Sequence, residues 1–277
     1  MINRPAHHSP LRVVFCTTPS VYSDVVLQEL LRSSSIELVG IVASTRILSK
    51  KRWMWWDAAR LVRKTGLRYA AYLWVVTTVY CLARRLLVRD DPVRCYLYEN
   101  RVPVYTSRDI NSGEGIAFVK SLQPDLLLSA HFNQLIGPEL LALPVQGCLN
   151  IHPGALPEYK GVDPVIRAVD NGEKQAGVTL HRQDAGFDTG TVLATAELAI
   201  SGGDTLFSLN MRLFLLGTEL LLELLSRGGD VPAGALQQPD QRYDSWPDAA
   251  LVARLRRSGR RLIGVRSFWT CLRGALE

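Results

Sequence analysis

The order of apolar and polar positions over residues 11–45 predicts a strand, a helix and a second strand. Leu11–Cys16 and Ile36–Ala43 are continuous apolar runs rich in β-branched residues, which is typical of strands buried on both faces. Between them, Val21–Arg32 carries apolar residues at helical spacing. This order predicts a β-α-β unit and therefore a parallel sheet.

The same alternation resumes after residue 101. Further strands are predicted in RVPVYTS, PDLLLSAHF and GCLNIHPG, and helices in INSGEGIAFVKSLQ, IGPELLALPVQ and VIRAVDNGE. The stretch AGVTLHRQDAGFDTGTVLATAELAI predicts two strands joined by a loop at 183–190. A long amphipathic helix follows, for which we expect Asp204 as the N-cap and Gly228 as the stop signal. The predicted fold class is therefore α/β, with a mostly parallel sheet.

Residues 49–100 interrupt this pattern with two predicted helices that break near Gly66. Within them, the 15 residues Tyr69–Ala83 carry no charge and have arginines on both sides. A helix of that length reaches about 22 Å, which is short of a hydrocarbon core of about 30 Å. We expect the segment to pack on its own domain or in a homodimer. A membrane surface is the second alternative, with three tryptophans at the interface: Trp53, Trp55 and Trp56.

Composition narrows the class of protein. The chain has 277 residues and is 47% hydrophobic, which is enough to bury a large core. The first ten residues, MINRPAHHSP, contain no apolar run, so we expect no secretory signal. The five cysteines are scattered and form no C-x-x-C pair. This argues against a disulfide framework or a zinc site and favours the cytoplasm, with peripheral membrane contact as the alternative.

The net charge of +6 is unevenly distributed. Residues 254–273 contain seven arginines and no acid. A basic balance is typical of proteins that bind nucleic acid, anionic lipid or phosphorylated substrates, although codon bias produces it equally well. From this short tail we expect no specific nucleic-acid complex, only weak and salt-sensitive binding.

A pair of polar residues ends the predicted strand in GCLNIHPG. Side chains two apart on a strand share a face, so Asn150 and His152 point into one crevice at the carboxyl end of the sheet. An amide donor beside an imidazole suits a carbonyl oxygen that gains negative charge. Asp188, in the loop HRQDAGFDTG, is a candidate to orient and charge His152. Asp184 competes for that role, and spacing alone does not choose between the two aspartates.

Other reaction types find little support in the sequence. There is no G-x-S-x-G nucleophile motif, no P-loop and no G-x-G-x-x-G. His131, His152 and His181 are too far apart in the sequence to suggest a metal site, so we expect no metal. The loop after the first strand lacks glycine, and whether Thr17, Thr18 or Ser20 contacts a substrate stays open.

The stretches LNIHPGALPEYKG and AGVTLHRQDAGFDTG resemble the formyltransferases that use 10-formyltetrahydrofolate. That family includes methionyl-tRNA, glycinamide ribonucleotide and sugar-nucleotide N-formyltransferases. The resemblance covers roughly 11–45 and 102–226, and the two motifs keep the family's order. It implies a Rossmann-like formyltransferase domain that uses 10-formyltetrahydrofolate as cosubstrate.

The resemblance also implies the site. Its catalytic set falls on Asn150, His152 and Asp188, and it favours Asp188 over Asp184 by analogy. The pterin of the folate would lie between the strand end near 128–134 and the loop at 183–188. The cofactor-binding residues implied are Leu128, Ser129, His131, Phe132, Asn133, His181, Asp184 and Gly186. His181 is equally well explained as a hydrogen-bonded strand residue.

We expect residues 1–228 to form the catalytic domain, with the insertion at 49–100, and residues 229–277 to form a short basic extension. This extension is shorter than the second domain of methionyl-tRNA formyltransferases. We therefore expect the acceptor to be a small-molecule amine: an amino sugar, a natural-product amine or an amine of the cell envelope. The alternatives are a methionyl-tRNA formyltransferase, a formyltetrahydrofolate hydrolase, and a non-catalytic membrane-associated protein that retains the fold.

Overall fold

The computed structural model describes residues 9–48, 54–228, 230–238 and 243–272. Its centre is a seven-stranded sheet in the order β3-β2-β1-β4-β5-β7-β8. Neighbours from β3 to β5 are parallel, whereas β7 and β8 are antiparallel. The strands are β1 (Leu11–Thr17), β2 (Ile36–Ser44), β3 (Val104–Ser107), β4 (Leu126–Ala130), β5 (Cys148–His152), β7 (Gln175–Arg182) and β8 (Val192–Ala199). The predicted α/β class and mostly parallel sheet are thus confirmed.

A second, small sheet escaped the sequence analysis. Strand β6 (Lys160–Gly161) pairs in parallel with β9 (Tyr243–Asp244). Each strand has only two residues, too few to show any periodicity. The pair matters because it brings the C-terminal part of the chain next to the loop that follows β5.

Helices cover both faces of the large sheet. In β1, Val13 and Phe15 belong to the larger hydrophobic cluster, and Val14 and Cys16 belong to the smaller cluster on the opposite face. This explains the continuous apolar run of that strand. The helices are α1 (Val21–Arg32), α2 (Met54–Thr65), α3 (Leu67–Trp74), α4 (Tyr80–Leu87), α5 (Pro92–Glu99), α6 (Gly113–Leu122), α7 (Pro138–Leu141), α8 (Pro164–Asp170), α9 (Leu206–Ser226), α10 (Ala249–Arg257) and α11 (Val265–Leu272).

The expected N-cap of α9 was wrong. Thr205, not Asp204, caps this helix, because the Thr205 hydroxyl accepts a hydrogen bond from the Ser208 backbone N–H. Asp204 lies one residue earlier, where its carboxylate accepts the Ser201 N–H and pairs with Arg212. Two adjacent residues with similar capping preference cannot be separated by sequence alone.

The insertion contains the predicted break at Gly66, where the backbone has a φ of +81°. After the break, α3, a π-helical segment (Val75–Val79) and α4 run as one continuous helix, which we call the insertion helix (Leu67–Leu87). It has 21 residues, so the expectation that it is too short to span a membrane was wrong. By length and composition it could cross one, and 22% of its apolar window is buried inside the protein. Helix α5 was not predicted.

The inner face of the insertion helix packs on the protein itself. Tyr69, Tyr72, Val76, Tyr80 and Arg84 recur every three or four residues along it and are buried. The Tyr80 hydroxyl donates to Asp24 of α1 at 2.6 Å. The Arg84 guanidinium pairs with the same carboxylate at 2.9 Å and with Asp91 at 2.6 Å. The insertion helix therefore buries one of its faces against its own domain, which is one of the locations considered for this segment.

The C-terminal part of the chain joins the same core. Leu251, Val252 and Leu255 of α10 and Leu272 of α11 are buried in the larger hydrophobic cluster. The division into a catalytic domain ending at residue 228 and a separate extension stays a prediction.

Candidate active site

Three neighbouring strands align polar side chains at one place in the sheet. Ser129 of β4 lies opposite Asn150 of β5, and Asn150 lies opposite His181 of β7. The loop after β7 leaves the sheet beside Cys148, whose carbonyl accepts the Gln183 N–H. It then folds back so that Asp188 reaches both His152 and His181.

The amide of Asn150 is oriented by its two strand neighbours. The Ser129 hydroxyl donates to Asn150 Oδ1 at 2.7 Å, and Asn150 Nδ2 lies 3.0 Å from His181 Nε2. His181 Nδ1 lies 2.8 Å from the Arg182 carbonyl, which can only accept, so the ring hydrogen is on Nδ1 and Nε2 accepts from Asn150. An amide nitrogen carries two hydrogens. One N–H of Asn150 is therefore still available to a ligand.

His181 is held as a neutral imidazole. Burial, and then the neighbouring His152, lowers the pKa of His181 to about 4. A neutral ring keeps the Nε2 lone pair that Asn150 needs as its partner. His181 therefore serves as a strand residue with a hydrogen-bonded ring and also borders the crevice, which combines the two roles considered for it.

His152 has both ring nitrogens directed at oxygen atoms. Nε2 donates to the Tyr159 carbonyl at 2.7 Å, and Nδ1 lies 3.5 Å from Asp188 Oδ1. The ring is 4% exposed, so the carboxylate acts on it with little solvent screening. The imidazole is thus fixed in orientation between a carbonyl and a carboxylate.

Asp188 itself is supported by residues from two other parts of the chain. The Gly161 N–H donates to Asp188 Oδ2 at 3.0 Å, and Gln237 Nε2 donates to the backbone carbonyls of Asp188 and Gly190. Asp188 has a φ of +54°, an uncommon conformation for a residue with a side chain. Gly161 has a φ of +114°, and a Cβ there would lie 2.0 Å from the Asp244 carbonyl oxygen, so only glycine fits.

Asp184 and Gly186 shape the same loop without facing the imidazoles. Asp184 Oδ1 accepts the Gly186 N–H at 3.0 Å and the Thr189 hydroxyl at 2.6 Å. Asp184 is exposed, and a Cβ on Gly186 would lie 2.2 Å from Thr189 Oγ1. Of the two aspartates that spacing left open, Asp188 is the one that lies beside His152.

The predicted residues of the opposite wall have different environments. Leu128 is fully buried in the core, so its side chain does not reach the crevice. Phe132 packs against the smaller hydrophobic cluster. Asn133 accepts from the Ser44 hydroxyl at 2.6 Å and donates to the Arg46 carbonyl, which ties this wall to the end of β2.

His131 links this wall to the loop after β1. Its Nδ1 lies 3.0 Å from Ser20 Oγ and 3.2 Å from the Thr18 carbonyl, and burial lowers its pKa. Thr17 donates to the Ala130 carbonyl. Thr18 Oγ1 is buried and has no hydrogen-bond partner in the described part of the chain.

Among residues 9–48, 54–228, 230–238 and 243–272, no group of three or more His, Cys, Asp or Glu side chains has an arrangement that could hold a metal ion.

Sequence reasoning missed three supporting residues: Gly161, Gln237 and Tyr243. Tyr243 stacks near Phe187, with ring centroids 5.8 Å apart, and burial together with the Asp188 carboxylate raises its pKa. All three are brought to the site by the β6–β9 pair or by the segment before it. For these three residues the local sequence offers one signal, the glycine that directly follows Lys160.

Comparison with known proteins finds a matching family and several relatives. A family model described as formyl transferase matches residues 63–225. The methionyl-tRNA formyltransferase of Kosmotoga olearia is 34% identical over 150 residues, which is 54% of this chain and 47% of that protein. The methionyl-tRNA formyltransferase of Thermotoga neapolitana is 37% identical over 136 residues, which is 49% of this chain and 44% of that one. The chain thus spans about half the length of the curated relatives it matches.

Solved structures share the fold at lower identity. A phosphoribosylglycinamide formyltransferase from Bacillus halodurans superimposes with a TM-score of 0.53 at 21% identity, over 79% of this chain and 97% of that one. A sugar N-formyltransferase from a Shewanella species superimposes with a TM-score of 0.52 at 17% identity, over 85% of this chain and 76% of that one.

Proposed function

Because the chain belongs to the formyl transferase family, we propose that it transfers a formyl group from 10-formyltetrahydrofolate to a primary amine. The observation that carries the proposal is the convergence of Asn150, His152 and Asp188 at one crevice, with Asp188 Oδ1 3.5 Å from His152 Nδ1. A free amide N–H beside an imidazole that faces a carboxylate suits acyl transfer, in which a carbonyl oxygen gains negative charge.

Each residue has a distinct role in this proposal. The available N–H of Asn150 donates to the formyl oxygen, while Ser129 and His181 keep the amide in orientation. His152 donates from Nε2 to the Tyr159 carbonyl, and its Nδ1 faces the Asp188 carboxylate, which fixes the imidazole beside the reacting carbonyl. Asp188 orients His152 and accepts the proton that the attacking amine loses, and that proton then goes to the nitrogen of the tetrahydrofolate that leaves as its bond to the formyl carbon breaks.

The cosubstrate supplies an activated formyl group when it is bound. Two buried oxygens support a polar ligand in this crevice. Thr18 Oγ1 and Gln183 Oε1 lack hydrogen-bond partners within the part of the chain that the structure describes. A pterin ring offers amide-like donors and acceptors that suit such atoms. Ser129, His131, Asn133, Asp184 and Gly186 are the residues of the strand end and the loop that would bind it.

The first candidate for the acceptor is the amino group of methionyl-tRNA. The curated relatives described above are methionyl-tRNA formyltransferases, and they support this acceptor better than the small amine preferred in the sequence analysis. The net charge of +6 on the chain also suits a polyanionic substrate.

The second candidate is an amine of the cell envelope. One observation favours it: the insertion helix exposes Leu67, Trp74 and Leu82 on its outer face, and such side chains suit lipid better than nucleic acid. Under either candidate we propose a cytoplasmic enzyme, at the membrane surface in the second.

Activity with 10-formyltetrahydrofolate tests the proposal, with the folate product followed by absorbance. The acceptors are methionyl-tRNA, an amino-sugar nucleotide and an amine-bearing lipid in vesicles, with a reaction lacking any amine as control. We expect one acceptor to accelerate folate release well above that control. Equal release with and without every amine would assign hydrolysis instead, and no release in any reaction would contradict formyl transfer.

A further inference from the structure

The outer face of the insertion helix is apolar and exposed. Leu67, Trp74, Leu82 and Leu86 are each 56–72% exposed. They lie opposite the buried side chains of the inner face and form a stripe along the whole helix, about 30 Å long. Exposed Ala71 and Thr78 lie between them. We call this stripe the outer face.

Tryptophans extend the outer face onto neighbouring helices. Trp55 and Trp56 of α2 stack with ring centroids 4.2 Å apart and are more than half exposed. Helix α2 contacts α3, and α11, which carries half-exposed Trp269, contacts α4. Trp53 lies outside the described residues. Apolar patches of this size are rare on monomers unless they bind a partner.

The helices that carry these side chains are basic, and their one acidic residue, Asp57 of α2, is buried. Residues 58–89 and residues 249–272 contain no Asp or Glu. Exposed cations flank the outer face at Arg68 and Arg85 and extend onto the helices that contact it, at Arg60, Arg63, Arg256, Arg257, Arg261 and Arg266. None of the described carboxylates forms an ion pair with any of these eight arginines.

These features point to one occupant. A second copy of this chain would bring like charges together, which opposes a symmetric dimer. Proteins bind RNA through phosphate contacts and base stacking, and such contacts would not cover aliphatic side chains such as Leu82 and Leu86. A bilayer surface with anionic headgroups matches both the arginines and the interfacial tryptophans.

The contacts of the inner face favour a helix on a bilayer surface over one across it. Its inner face carries Arg84, which pairs with Asp24 and Asp91 inside the protein. A spanning orientation would separate these buried pairs and expose the tyrosines of the inner face to hydrocarbon, at a high cost in free energy.

We propose that the protein docks on anionic lipid bilayers through the outer face and its flanking arginines. The proposal does not depend on the acceptor or on catalysis, because the surface and its charges are separate from the candidate active site. The partner is a membrane leaflet rich in anionic headgroups.

Vesicle co-sedimentation of the full chain tests it, with neutral phosphatidylcholine vesicles compared with vesicles containing phosphatidylglycerol. We expect sedimentation with the anionic vesicles and a loss of about tenfold or more in affinity for Trp74→Ala combined with Leu82→Ala. For Arg85→Ala we expect a loss of about fivefold. Because these side chains are exposed, the fold should survive, and circular dichroism verifies this.

Matched controls come from exposed residues elsewhere. Leu236→Ala removes an exposed leucine and Lys120→Ala an exposed cation on α6, and both variants should bind as the unchanged protein does. The proposal is overturned if the unchanged protein stays in the supernatant with anionic vesicles, or if the outer-face variants bind as well as the controls. It is also overturned if the same substitutions abolish a dimer seen by light scattering, or a complex with tRNA, while vesicle binding is unaffected.

Discussion

Replacing Asn150 by aspartate keeps the shape of the side chain and removes both of its N–H groups. The Ser129 hydroxyl still has an oxygen to donate to, so one neighbour is undisturbed. His181 Nε2 loses its donor, and the new carboxylate favours a proton on that ring, which raises the pKa of His181 from about 4. The formyl oxygen loses its donor and faces a negative charge instead.

The size of the effect follows from these contacts. Removal of one donor to a developing oxyanion costs about 100- to 1,000-fold in turnover. Because Asn150 lies 3.0 Å from His181 Nε2, a protonated His181 would bind the new carboxylate and offset part of the added repulsion. We therefore expect Asn150→Asp to reduce kcat by about 1,000-fold, with little change in the KM for the folate.

Steady-state kinetics with 10-formyltetrahydrofolate measures this, using whichever acceptor proves active. The matched control is Asn100→Asp, an exposed asparagine at the end of α5, which should leave kcat unchanged. If Asn150→Asp retains a tenth or more of the turnover, Asn150 does not donate to the reacting oxygen, and the proposed roles at this site fail.

Three further outcomes are expected. His181 is neutral in the folded protein, with a pKa of about 4, so the unfolded state binds more protons between about pH 6.5 and pH 4. The free energy of unfolding therefore falls as pH falls through that range. The variant His181→Gln should flatten this slope, as measured by thermal melts at several pH values. Arg84→Ala leaves two buried carboxylates without their cation and should cost about 3–5 kcal/mol in urea unfolding, whereas exposed Arg85→Ala should change stability little. Gln237→Ala removes the two hydrogen bonds that Gln237 donates to the backbone of Asp188 and Gly190 and should lower kcat by about tenfold, while exposed Gln238→Ala has no effect; equal kinetics for the two variants would remove Gln237 from the site.

Local pattern predicted the strands and helices of the sheet because burial on both faces leaves a strong apolar signal. It predicted Val21–Arg32 with its observed bounds, and the structure adds that Ser20 caps this helix. The length of the insertion helix was missed because Arg84 was taken as the end of an apolar segment. Its charge is instead compensated by carboxylates from α1 and α5, which no local pattern reveals.

Some residues of the candidate site were also predictable from local pattern, and others were not. Asn150 and His152 were predicted because they share a strand face, which is a local property. Selecting Asp188 required either the family resemblance or knowledge of the path of its loop, because sequence spacing does not distinguish it from Asp184. Gly161 and Gln237 contribute only through contacts between segments distant in sequence, and these become visible when the chain is folded.

The hydrogen bond between Tyr69 and Asp163 links the stability of the insertion to that of the active site. The Tyr69 hydroxyl donates to the buried Asp163 carboxylate at 2.6 Å, and Asp163 follows Gly161, the donor to Asp188, by two residues. When the insertion helix opens, Asp163 loses this hydrogen bond, so we expect the segment at 160–163 to open together with the helix. In hydrogen-exchange terms, the Gly161 amide should exchange at a rate close to that of the insertion helix and belong to the same cooperative unit.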